Sequence, residues 1–182
     1  MAKKCILYFF VVLSSLISIG CSEKNADNEK KAIAEAINST IGWFENKDFD
    51  LLFSVSADDE DYFIFHPTSD ATIHGIDAFR KFSEIWKDPG TKYVSHSITD
   101  LRIHLHESLQ VAWFSAFLDD CGEYQGQKSC YDDARWTGVL EKRKGKWVIM
   151  QMHFSFAEDL LRKKIESEIM TSMANQKNAL LK

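Results

Sequence analysis

The chain has 182 residues, 45% of them hydrophobic and 13% aromatic, with two prolines and a formal net charge of -5. This composition excludes intrinsic disorder for the body of the chain. The mild acidity, with no basic stripe, argues against a nucleic-acid partner.

The amino end sets Lys3 and Lys4 ahead of an apolar run, Cys5 to Ile19, that closes on Gly20-Cys21. A basic start, a short hydrophobic centre and a small residue at the cut describe a secretory leader over residues 1–20. The run is too short for a comfortable spanning helix of ~20 residues. Ser18-Ile19-Gly20-Cys21 resembles a bacterial lipobox, with serine where leucine is usual. The resemblance implies acylation of the Cys21 thiol, which anchors the domain to a membrane of the bacterial cell envelope, outside the cytoplasm. An ordinary cleaved leader or an uncleaved anchor is the alternative. Residues 21–30 are polar and charged and are expected to form a tether. Once the leader is removed, roughly 160 residues remain, enough for one domain with a full core.

The helical stretch from Glu29 to Glu45 carries Ile33, Ala36, Ile37, Ile41 and Phe44 at three and four spacing. A short helix follows over Asp48 to Ser54, with Asp48 as its cap. Tyr62 to His66 reads as a strand stopped by Pro67, and Ala71 to His74 as a second short one. Asp77 to Trp86 is helical and closes on Asp88-Pro89-Gly90. Four long strands come next: Val94 to His106, Leu109 to Leu118, Ala134 to Arg143 and Trp147 to Phe156. Residues 157–182 form a helical extension whose narrow stripe, Leu161, Ile165, Ile169 and Met173, suits docking on the body or on a second subunit.

Cys121 and Cys130 flank Gly122 to Ser129, a polar loop between two strands. In an oxidising compartment they should form a disulfide, contributing ~2–3 kcal/mol by the loop-length argument. No second Cys/His pair stands at ligand spacing, so no metal is expected.

Helices followed by a meander of long strands give an α+β layer arrangement. Ala112-Trp113-Phe114-Ser115-Ala116, Arg135-Trp136-Thr137 and Gly145-Lys146-Trp147, followed by His153-Phe154-Ser155, resemble the SnoaL-like branch of the nuclear transport factor 2-like superfamily. The last block also resembles the association domain of calmodulin-dependent kinases. The resemblance covers residues 31–156. It implies a curved antiparallel sheet wrapped around amino-terminal helices, forming a cone with an internal pocket. Function does not follow, because the superfamily holds isomerases, dehydratases, hydrolases, ligand carriers and assembly modules.

Strand register decides which side chains share a face. If Lys144-Gly145 is a two-residue turn, Trp136 opposes His153 and Gly138 opposes Gln151. If Cys121 opposes Cys130, Ser115 opposes Trp136. Trp113, Ser115, Trp136, Gln151, His153 and Ser155 then lie together as a ligand-binding wall, with Gly138 leaving room; a one-residue bulge would break the set. Both sheet faces are mostly apolar, so the face away from the helices is expected to be covered by a second copy in a homodimer.

His153 is the candidate catalytic acid/base, against a core histidine bonded to Gln151, Ser155 or a backbone carbonyl. A His/Asp pair of the dehydratase kind would be His153 or His96 with Asp100. No cofactor is implied. Three functions follow: a binder of a small, partly apolar molecule; an isomerase, dehydratase or hydrolase using His153; or a dimerisation module without ligand.

Overall fold

The computed structural model describes residues 25–180. The expected leader and Cys21 lie outside them. Helix α1 occupies 25–42 and runs into a 3-10 turn at Trp43–Glu45. Residues 25–30, expected as tether, are therefore helical. The reason is visible at Glu29, which accepts from Lys142 Nζ at 2.5 Å and Trp147 Nε1 at 2.7 Å, tying the first turns of α1 to the sheet. Those two bonds, the Lys142 bond foremost, hold the Glu29 carboxyl below the usual carboxylate range.

Helix α2 spans Phe49–Ser54, and Asp48 caps it by accepting from the Leu51 N–H at 2.9 Å, as expected. Strands β1 (Phe63–Phe65) and β2 (Ile73–His74) pair antiparallel. Helix α3 (Ile76–Ser83) continues as a 3-10 turn, Glu84–Lys87. The long strands are β3 (Thr91–Leu105), β4 (Val111–Tyr124), β5 (Gln127–Arg143) and β6 (Lys146–Ser155). They make a six-stranded sheet of order β2-β1-β6-β5-β4-β3. The sheet is mixed rather than wholly antiparallel, because β1 joins β6 in parallel.

Strands β4 and β5 extend further than the sequence suggests. The expected cysteine loop is only a two-residue hairpin turn, Gln125-Gly126, with φ of 51° and 84°. Cys121 and Cys130 are directly paired in the ladder and disulfide-bonded. Asp132 brings a ligand atom within 4.8 Å of both sulfurs, but the disulfide occupies them.

The concave face of the sheet holds Phe114, Leu118, Trp136, Leu140, Ile149 and Phe154, all buried against Ile33 and Ile37 of α1 and Phe79 of α3. The final helix, α4 (Glu158–Leu180), leaves its stripe uncovered: Leu161, Ile165, Ile169 and Met173 are all exposed. Among the described residues no helix is long and apolar enough to cross a membrane.

Candidate functional site

Two bulges settle the faces. The β5–β6 turn is the expected one, with Lys144 and Gly145 both at positive φ, and Leu140 opposes Ile149. Beyond that pair the register slips by one: Val139 faces Gln151, Gly138 faces Met152, and Trp136 faces Phe154 rather than His153. Met150 is the extra residue. The slip is held by the segment after α2, where the Ile149 N–H donates to the Val55 carbonyl at 2.7 Å and the Ala57 N–H donates to the Ile149 carbonyl at 2.8 Å. The second bulge separates the disulfide register from the rest of β4–β5. Asp120 faces Tyr131, but Leu118 faces Ala134, so Asp132-Asp133 oppose the single residue Asp119. Asp133 takes φ 51°, and its N–H donates to Asp119 Oδ1 at 2.8 Å.

The expected wall is therefore split. Trp136 lies fully buried on the concave side, edge-on to Phe114 and stacked on Phe154. Trp113, Ser115, Gln151, His153 and Ser155 sit on strand positions that alternate with the buried ones, on the outer face. There Trp113 is 46% exposed and stacks on His104 at 5.6 Å, while His153 stacks on Phe65 at 5.3 Å. His104, Trp113, Ser115, Thr137 and Gln151 border a shallow hollow. Gly138 does not leave room for a ligand: a Cβ there would lie 2.5 Å from the Phe114 ring and 2.6 Å from the Gln151 carbonyl oxygen. Asp100, expected to pair with His153 or His96, accepts from Arg102 Nε and Nη2 at 3.1 and 3.0 Å.

The cavity of the cone lies elsewhere. It is a half-open space of about 390 Å³ between the end of α1, α3 and the strands. Trp43, Phe44, Phe79, Phe82, Trp86 and Phe154 give it aromatic walls, with Ile41, Ile64, Ile73, Leu118 and Met152 between them. Trp43 and Trp86 meet edge to face at 5.3 Å. Thr40, His66, Thr91, Asp120, Glu123, Ser129 and Tyr131 bring polar side chains to this lining.

His66 follows β1, Asp120 lies near the end of β4 and Tyr131 faces it from β5. The Tyr131 hydroxyl and His66 Nε2 share a hydrogen bond at 3.0 Å. His96 is the β3 partner of Asp120, and its Nδ1 lies 3.1 Å from the Tyr93 hydroxyl. Burial pushes the Asp120 carboxyl up, and the neighbouring His96 pulls it partly back. Burial also pushes His66 down, opposed by Asp70, so the imidazole is neutral at neutral pH. Tyr131 is raised, first by burial and then by the charge of Asp120, and keeps its proton. The site thus offers a hydroxyl, a neutral imidazole and a partly desolvated carboxyl at one place in a mainly apolar pocket, a set suited to orienting a ligand or moving a proton.

The sequence places His66 on a strand, from which it can reach the cone mouth, but Asp120 and Tyr131 were missed. A signal existed: the disulfide register itself puts Asp120 opposite Tyr131.

Compared with curated proteins, the chain has no significant match. Among solved structures it is similar to a nuclear transport factor 2-like protein of unknown function from Prochlorococcus marinus, at 18% identity and TM-score 0.56, covering 72% of this chain and 97% of that one. A candidate scytalone dehydratase from Novosphingobium aromaticivorans aligns at 16% identity and TM-score 0.60, covering 72% and 85%. A candidate calmodulin-dependent kinase II association domain from Exiguobacterium sibiricum aligns at 8% identity and TM-score 0.56, covering 69% and 91%. At these identities the likeness is one of fold. The profile of the SnoaL-like domain matches residues 33–159, and the chain belongs to that family.

Proposed function

We propose that this SnoaL-like domain binds a small, partly apolar molecule inside the cone, with its polar end at Asp120, Tyr131 and His66. The observation that carries this reading is the chamber of about 390 Å³ whose aromatic walls converge with that polar cluster. Tyr131→Phe and Asp120→Asn are expected to abolish or shrink ligand-induced melting shifts across a panel of small aromatic carbonyl and hydroxyl compounds. A panel that never shifts the melting temperature of the unaltered protein overturns the reading.

Asp120 supports a second reading, general acid/base catalysis of an isomerisation, dehydration or hydrolysis. It is desolvated and flanked across the strands by His96 and Tyr131. Turnover lost in Asp120→Asn but kept in His153→Gln assigns the chemistry to the cone; the reverse assigns it to the outer face.

The domain is also read as lipid-anchored through Cys21 and homodimeric through the outer sheet face. The disulfide supports export. Exposed Phe65, Trp113 and Phe117 support the dimer. Unchanged mass and membrane association in Cys21→Ser removes the anchor, and an unchanged sedimentation mass in Trp113→Asp removes this interface.

A further inference from the structure

The charge inside the cone narrows the class of ligand. Asp120 and Glu123 line the cavity, and among the described residues no Arg or Lys does. Glu123 is already compensated, since Lys92 Nζ meets it at 3.1 Å from the exposed side. Asp120 is different: among the described residues no hydrogen-bond donor reaches its carboxylate, and its neighbour across the β3–β4 ladder is His96, which does not line the cavity. His66 adds no compensating charge at neutral pH, because burial favours its neutral form. The rings of Trp43, Phe82 and Trp86 border the same space. Their faces are centres of negative potential, and a cation within about 6 Å of a ring centroid is attracted to them. A carboxylate or phosphate would meet Asp120 with no cation to bridge them, at a cost increased by the low local dielectric.

We propose that the cone selects a cation: an organic amine whose ammonium is received by Asp120 and whose apolar body lies against Trp43 and Trp86. The inference rests on the binding reading above and adds the sign of the ligand's charge. The bound ammonium supplies the partner that the half-buried carboxylate lacks, and the aromatic walls desolvate the rest of the ligand. Tyr131 and His66 remain available to a hydroxyl or carbonyl elsewhere on the molecule.

The test uses three probes on one ring system, naphthylethylamine, naphthylethanol and naphthylacetate. Their binding is measured by calorimetry to the full chain purified in detergent. At about pH 8 the amine keeps its proton, and a carboxyl raised by burial is more fully ionised than at neutral pH. The amine is expected to bind about tenfold more tightly than the alcohol, and the acetate more weakly than either. Asp120→Asn should bring the amine-to-alcohol ratio towards one, while the ranking of the three probes on the unaltered protein stands as an independent measure should that variant fold poorly. An acetate that binds as well as the amine overturns the cation inference. So does an amine-to-alcohol ratio that Asp120→Asn leaves unchanged. Binding of the alcohol with no preference for the amine sinks the charge assignment alone and leaves the pocket reading in place. Failure of all three probes to bind overturns both.

Discussion

On the concave face of the sheet Trp136 is fully buried, with Phe114 set edge-on at 4.9 Å and Phe154 stacked at 5.7 Å. On the outer face Trp113, in the neighbouring strand, is 46% exposed and leans on His104. The two tryptophans have the same chemistry and occupy strands that pair with each other. What differs is what covers them: α1 and α3 close the concave side, whereas among the described residues only His104 leans on Trp113. The lesson is that alternation along a strand sorts side chains into two sets, whereas the packing of helices decides which set becomes a core.

This comparison can be broken most directly at the two tryptophans. Trp136→Ala removes a fully enclosed ring and should cost about 3–5 kcal/mol in denaturant unfolding, whereas Trp113→Ala should cost below about 1 kcal/mol. Equal losses would mean that the outer face is also a packed interior, as in a tight dimer. Next in size is the disulfide, which closes a loop of sequence separation 9 beside the Asp120–Tyr131 pair. Replacing both cysteines by alanine is expected to cost ~2–3 kcal/mol under oxidising conditions, with no further loss on adding reductant.

Gly138→Ala sharpens the contrast within a single strand. A Cβ there collides with the Phe114 ring on the concave side, for an expected loss of about 1–3 kcal/mol. Thr137→Ala next to it, with an exposed side chain, should stay within about 0.5 kcal/mol. The smallest effect is electrostatic. Because burial raises the folded-state pKa of Asp120 above its unfolded value, the folded state binds more protons between the two. Stability contributed by protonated Asp120 is present below the unfolded pKa and is lost as pH rises through the folded one. Asp120→Asn should therefore gain stability relative to the unaltered protein as pH rises across that window, read by melting temperature against pH. Glu29→Gln has the opposite sign. Its lowered pKa stabilises the fold above the unfolded value, and that contribution is lost as pH falls through the folded pKa.

Much of the architecture was legible because it is local. The Asp48 cap, the Lys144-Gly145 turn and the apolar spacing of α1 each follow from residues within a few positions of one another. The β1–β6 pairing was not legible, since a parallel contact between segments almost ninety residues apart leaves no periodic mark on either. The site was legible only in part. His66 closes the strand that begins at Tyr62, whereas a lone tyrosine and an aspartate near a turn carry no mark that separates Tyr131 and Asp120 from ordinary surface residues.

By itself the sequence determined the order of elements, the family to which they belong, the disulfide pair and the two alternating sets of side chains on each strand. Each of these depends on short-range sterics, turn chemistry or a composition pattern. Only the tertiary structure decided how the sets on adjacent strands were joined. Met150 and the Asp132-Asp133 step are single extra residues in well-formed strands, and nothing in their own identities announces a bulge. They slip because Val55 and Ala57 pair with Ile149 on one side and because Asp119 receives the Asp133 N–H on the other. A slip of one residue exchanges the faces of everything beyond it. That exchange places Trp136 in the core and His153 outside it, and leaves Asp120 and Tyr131 side by side in the cone.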